Sequence, residues 1–230
     1  MRVLIINPNT TAAMTATIVD AMAPHFPAGT DILAETAPFG PPVIASRAGF
    51  AIAAHAVLEA YAPYHGRVDA AVIACFGDPG LAALRALSGI PVTGLLAASL
   101  QAVSGSRFGI VTAGAAWKDM LCEQIALSGG KDDCAGIEIL SGNGLDVRND
   151  PDGALVQISA AAKRLQAQGA EKVILGGAAM AGLAERLDFA AVDCLQAGAE
   201  AVFATGAMPR ETQPPGSKGL AAALQSLLDG

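Results

Sequence analysis

Cys75 is a thiol in a position suited to chemistry. It closes the apolar run Val68-Asp69-Ala70-Ala71-Val72-Ile73-Ala74 and is followed by Phe76-Gly77-Asp78-Pro79-Gly80, a turn that opens a helix. At the carboxyl end of a strand and facing a helix amino terminus, a thiol can serve as base, acid or nucleophile. A free thiol titrates near about 8.5, so the helix start and its amides are expected to lower that value. The competing reading is a small buried hydrophobe, which is how many free cysteines behave. Asp78 reads first as an N-cap, with Pro79 at the first helical position, and second as a carboxylate able to influence the thiol's ionisation.

The same layout recurs in Val173-Ile174-Leu175-Gly176-Gly177-Ala178-Ala179-Met180-Ala181-Gly182-Leu183-Ala184, where Gly177 stands in the place of Cys75. Gly177 either permits a sharp strand-to-helix turn or opens space for a bulky or departing group. A second pairing supports the repeat, because Arg2-Val3-Leu4-Ile5-Ile6-Asn7 matches Arg107-Phe108-Gly109-Ile110-Val111-Thr112 at nearly the same offset. Asn7, Asn9, Thr10 and Thr11 follow the first of these strands, and Thr112-Ala113-Gly114-Ala115 follow the second. Both sets read as helix caps or as a frame of amides and hydroxyls for a carboxylate or imide.

Strand-length apolar runs at 3–6, 31–35, 70–74, 92–95, 108–112, 137–140, 173–175 and 190–193 alternate with helical patterns at 10–23, 46–64, 78–87, 115–127, 151–168, 182–187, 193–205 and 219–227. This alternation predicts βαβ units, and hence an α/β fold of two pseudo-symmetric open parallel-sheet lobes. Residues 1–96 with 209–230 form the first lobe, carrying Cys75, and 97–208 the second, carrying Gly177, with the boundary between Leu96 and Ser104. The tail past Met208, with Pro209, Pro214, Pro215 and Gly216, returns to the first lobe as a terminal helix. Ligands of open parallel sheets bind outside the strands' carboxyl ends. The site therefore falls in the cleft between the lobes, with Cys75, Phe76 and Gly77 facing Gly177 and Ala178, and Asn7, Thr10, Thr112 and Gly114 at its ends.

The 230 residues suffice for a self-supporting core, and 53% hydrophobic with 15% charged content suits buried sheets. A net charge of −7 with scattered Lys and Arg excludes nucleic acid and anionic membranes as natural partners, leaving a small-molecule substrate. The amino terminus lacks the central region of a signal peptide, and no stretch has the length of a membrane span. The four cysteines have no zinc-knuckle or disulfide spacing, which fits a reducing cytoplasm. Ala- and Gly-rich α/β enzymes of this size form symmetric assemblies, so a homo-oligomer is expected. Cys122, at helical spacing with Trp117, Leu121 and Ile125, reads as core and Cys134 as a loop residue. Cys194, after Asp193, reads as a packing residue or as a replacement thiol reaching the cleft. His25, His55 and His65 carry no chemical role.

Through Ile6-Asn7-Pro8-Asn9-Thr10-Thr11, Ala74-Cys75-Phe76-Gly77-Asp78-Pro79-Gly80-Leu81 and Leu175-Gly176-Gly177-Ala178-Ala179-Met180, the chain resembles the aspartate/glutamate/hydantoin racemase superfamily nearly end to end, and its hydantoin and allantoin racemase branch most closely. The resemblance implies a cofactor-independent enzyme whose two lobes flank an acidic carbon with thiols. It also implies that Ser46, Arg47 and Phe50, after the Pro41-Pro42 loop, lie where the substrate is covered; Arg47 either pairs with an anionic substrate or is an exposed helix arginine. This chain departs from the family at Gly177, where such racemases carry a second cysteine. The expected activity is proton transfer by Cys75 at a carbon next to a carbonyl of a small acid, amino-acid derivative or cyclic ureide. Single-thiol decarboxylation of a malonate-like acid and a non-catalytic ligand-binding relative are the alternatives.

Overall fold

The computed structural model describes residues 1–142, 144–211 and 216–229. The first sheet holds β1 (Arg2–Asn7), β2 (Asp31–Thr36), β3 (Ala70–Ile73) and β4 (Val92–Gly94) in the order β2-β1-β3-β4. The second holds β5 (Phe108–Ala113), β6 (Cys134–Leu140), β7 (Lys172–Gly176) and β8 (Ala191–Asp193) in the order β6-β5-β7-β8. Every pairing is parallel, and the two orders are the same once the strands of each half are matched. The helices are α1 (Ala12–Met22), α2 (Arg47–Tyr61), α3 (Leu81–Ser88), α4 (Leu95–Ala102), α5 (Trp117–Leu127), α6 (Gly144–Asn149), α7 (Pro151–Ala167), α8 (Cys194–Ala201) and α9 (Ala222–Asp229). None of the described helices is long and apolar enough to cross a membrane.

Strand periodicity divides the core into three layers. Val3, Ile5, Val72, Phe108, Ile110 and Ile174 point into the layer between the sheets, where Ile18 and Met22 of α1, Leu95 of α4, Leu121 of α5 and Leu195 of α8 meet them. Leu4, Ile6, Ala71 and Ile73 face outward onto α2, α3 and α9, and Val111, Val173 and Leu175 onto α7. The central strands β1, β3, β5 and β7 are thus covered on both faces, which explains why they read as nearly continuous apolar runs. The stretch 95–102, for which no helix is expected, forms α4, which packs on α8. At 182–187 the expected helix is replaced by a 3-10 turn at Ala184–Arg186, and Cys134 begins a strand instead of lying in a loop. Cys122 is exposed rather than core. Pro214 and Pro215 lie outside the described residues; beyond them α9 sends Leu224 and Leu227 into the cluster around Val57 and Tyr61, and Ala221 donates to buried Glu59 at 3.0 Å.

The sheets also interlock next to Cys75. A Cβ built on Gly176 would fall inside van der Waals contact of the Phe76 ring, which is itself buried. Gly176→Ala must therefore displace that ring, and overpacking of this kind costs about 1–3 kcal/mol. We expect a matching drop in unfolding free energy by urea titration; an unchanged midpoint would show that the ring is free to move.

Candidate active site

β3 ends at Ile73, and the chain then turns sharply: Asp78 donates its backbone N–H to the Cys75 carbonyl at 3.0 Å, and α3 starts only at Leu81 behind a left-handed Gly80. Asp78 is the one non-glycine with positive φ (58°) among the described residues. Its carboxylate does not cap α3, as the Asp-Pro signature predicts. It accepts from Leu96 N at 2.9 Å and Ala97 N at 2.7 Å, the first-turn amides of α4. Gly94 makes this possible, since a Cβ there would overlap the carboxylate. The other Asp-Pro pair behaves as expected, with Asp150 accepting from Gly153 N at 2.9 Å at the start of α7.

The cleft beside this turn encloses about 350 Å³. It brings together Cys75, Phe76, Thr112, Gly114, Gly177, Ala178 and Asn9 from the residues singled out in the sequence. Asn9 lines it while its Oδ1 accepts from Thr11 N at 2.9 Å and Asn7 Nδ2 at 3.1 Å; this assignment leaves the Asn9 amide nitrogen as donor. Thr112 donates its hydroxyl to the Gly176 carbonyl at 2.5 Å, tying β5 to β7 where both reach the cleft.

Other expected contacts are displaced. Asn7 has no exposed surface; its side chain joins Asn9, the Thr11 carbonyl and Thr15 Oγ1, so it builds the loop instead of facing the cleft. Thr10 donates its backbone N–H to the Pro41 carbonyl at 3.2 Å, and Ser46 caps α2 by accepting from Gly49 N at 3.0 Å. Neither lines the cleft, nor do Gly77, Phe50, Arg47 or Asp78. Gly77 lies under Trp117, whose ring meets Phe50 edge-on at 6.3 Å between centroids. Arg47 is exposed and pairs with Glu123 of α5, which holds its guanidinium above and the carboxyl below their ordinary values.

The cleft walls missed in the sequence are Met14 and Ile18 of α1, the Val43-Ile44-Ala45 loop, Trp117 and Met180. Only the Pro41-Pro42 turn signals the loop; Trp117 shares the spacing of core residues in α5. Among the described residues, no Lys, Arg, His, Asp or Glu side chain lines the cleft. Cys75, partly exposed there, is its one thiol. The expected lowering of its pKa is reversed: burial first, and the Asp78 carboxylate second, push the thiol well up. The resting group is therefore a protonated thiol, and a strong base once ionised.

Opposite, Gly177 has φ 131° and ψ 140°, and a Cβ on it would meet nothing closer than Thr112 Oγ1 at 3.9 Å. Its N–H donates to the Cys194 sulfur at 3.3 Å. Cys194 is 1% exposed and stands behind Gly177 instead of reaching the cleft, so it does not replace the missing thiol on the cleft surface.

The family described as Asp/Glu/hydantoin racemase matches residues 3–202. The hydantoin racemase of Paenarthrobacter aurescens is 35% identical over 192 residues, covering 81% of each chain. Among solved structures, the allantoin racemase of Klebsiella pneumoniae superposes with a TM-score of 0.85 at 30% identity over 99% of this chain and 98% of its own. That of Pseudomonas fluorescens gives 0.83 at 27% identity over 89% and 90%.

Proposed function

The chain belongs to the aspartate/glutamate/hydantoin racemase family, on its hydantoin and allantoin branch, and from that premise we propose a racemase of neutral, hydantoin-like cyclic ureides in which Cys75 carries the proton. The observation that carries the reading is a cleft lined, among the described residues, by a single thiol and no charged side chain. A free amino-acid carboxylate held there would lack a cationic partner, and desolvating it unpaired is costly. A neutral ureide ring avoids that cost. Its carbonyls and N–H groups suit the Asn9 amide and the backbone of the turn from Thr112 into α5, while Met14, Ile18, Ile44, Trp117 and Met180 suit an apolar substituent.

Chemistry begins when Cys75 loses its proton to solvent. The thiolate takes the hydrogen from the carbon beside the ring carbonyl, and the electron pair of the C–H bond passes into an enolate. Apolar walls keep water from competing for that anion, and the reformed thiol then returns a proton. Gly177 offers no acid on the other face, so the planar ring must turn in the cleft before reprotonation to invert the centre. The small side chains of Gly177, Ala178 and Ala179 leave room for this.

Polarimetry with 5-isopropyl- and 5-benzylhydantoin, aspartate and glutamate tests the reading. Loss of rotation is expected for the hydantoins and not for the two amino acids; turnover of aspartate or glutamate with neither hydantoin would overturn it. The lone thiol also suits a second reading, decarboxylation of a malonate-like acid followed by protonation from Cys75, in which the cost of holding an unpaired carboxylate against uncharged walls is relieved by its loss as carbon dioxide. Carbon dioxide release from a substituted malonate, with no hydantoin turnover, would favour that one.

A further inference from the structure

Asp78 is a buried carboxylate that the reaction as described does not use. It belongs to the Cys75 turn through its backbone N–H and to α4 through its side chain, and it adopts a left-handed conformation that is uncommon outside glycine. The turn is closed from the second lobe by Phe76 against Gly176, so the sulfur's position depends on both anchors. We propose that Asp78 is a positioning residue: its carboxylate, clasped by the α4 amino terminus in the space left by Gly94, fixes the Cys75 turn and governs through space how readily the sulfur gives up its proton.

Three groups face this carboxylate. Cys75 lies on its own turn, and the half-buried Arg85 of α3 donates Nε to the Val92 carbonyl at 2.8 Å. Cys194, at the start of α8, also feels the Asp78 charge. Burial pushes the Asp78 carboxyl up to about 7, against the opposing pull of the Leu96 and Ala97 amides and of Arg85. Its charge therefore changes within the working range of an enzyme. As pH rises through that value the carboxylate forms, and a negative charge beside the sulfur makes the thiol harder to ionise. Between neutral and charged Asp78, the thiolate becomes a scarcer but stronger base, which suits removal of a weakly acidic carbon-bound hydrogen.

The inference rests on the proposed role of Cys75, but its readout is the thiol and not turnover. Iodoacetamide labelling of Cys75, followed by peptide mass spectrometry from pH 5 to 10, separates it from exposed Cys122. Asp78→Asn and Asp78→Ser both retain side chains that cap helices while removing the charge. In each, labelling at pH 8 should accelerate about tenfold, because removing the charge beside the sulfur makes the thiol easier to ionise. In the wild type, the rise of log rate with pH should flatten near pH 7, as Asp78 ionises, and then resume. This curve is available even if both variants fail to fold. A single unbroken titration in the wild type, or folded variants labelled at the wild-type rate, overturns the proposal. A flattened curve in a protein inactive on every hydantoin would sustain the Asp78 effect while sinking the proposed substrate class.

Discussion

Cys75→Ala is expected to lower kcat/KM for the hydantoin substrate by about 10³-fold or more, toward the full contribution of a positioned proton carrier. No other ionisable side chain lines the described cleft to take over the task. Cys75→Ser should be nearly as inactive, because a hydroxyl in the same desolvated place ionises far less readily than the thiol. Stability should change by less than about 1 kcal/mol in either variant, since the side chain is partly exposed and its loss leaves no closed cavity. Solvent deuterium entering the carbon beside the carbonyl, followed by NMR, reports proton removal followed by exchange at the sulfur. More than a tenth of the wild-type exchange rate in a folded Cys75→Ala protein would place the base elsewhere.

The sequence is most legible where one face or one run of residues decides the outcome. Runs closed by turn residues mark the eight strands of the described residues, most plainly the central β1, β3, β5 and β7, because strands covered on both faces admit little but apolar side chains. The repeat of Cys75 at Gly177 likewise locates both walls of the cleft, since matching strand ends converge between matching sheets. Legibility fails where a partner is distant in the chain. Asp78-Pro79 has the local form of a helix cap, yet the amides it satisfies belong to Leu96 and Ala97, whose approach depends on the absent side chain of Gly94. α4 begins directly after β4 with no polar cap of its own, so its start carries no signal and the helix goes unread.

Side-chain type misleads in two opposite directions within the cleft. Asn7 is polar and follows a strand, which suggests a ligand contact, but its amide is consumed in holding the Asn9-Thr11 loop. Trp117 is apolar and in register with Leu121 and Ile125, which suggests core, yet it crosses from the second lobe to cover Gly77 and meet Phe50 of the first. The two errors have different causes: the partners of Asn7 lie within eight residues of it in its own loop and helix, whereas the placement of Trp117 depends on the mutual approach of the lobes, which no local pattern sets.

Gly177→Cys is expected to convert one-carrier chemistry into two-carrier chemistry at a cost in stability. There is room for the sulfur, because a Cβ at this position meets only Thr112 and Met180, at 3.9 and 4.0 Å. The backbone is the obstacle: φ 131° with ψ 140° is open to glycine and strained for other residues, by about 1–3 kcal/mol. The variant should therefore unfold at lower urea concentration and yet racemise without requiring the ring to turn. Isotope partition in deuterium oxide separates the two modes. With Cys75 alone, the same sulfur both removes and returns hydrogen, so early in the reaction recovered substrate gains deuterium and part of the product keeps its original hydrogen. With thiols on both faces, early product carries solvent deuterium while recovered substrate stays largely protiated. Finding that second pattern already in the wild type would mean that another proton carrier reaches the Gly177 face, and the single-thiol mechanism would fail.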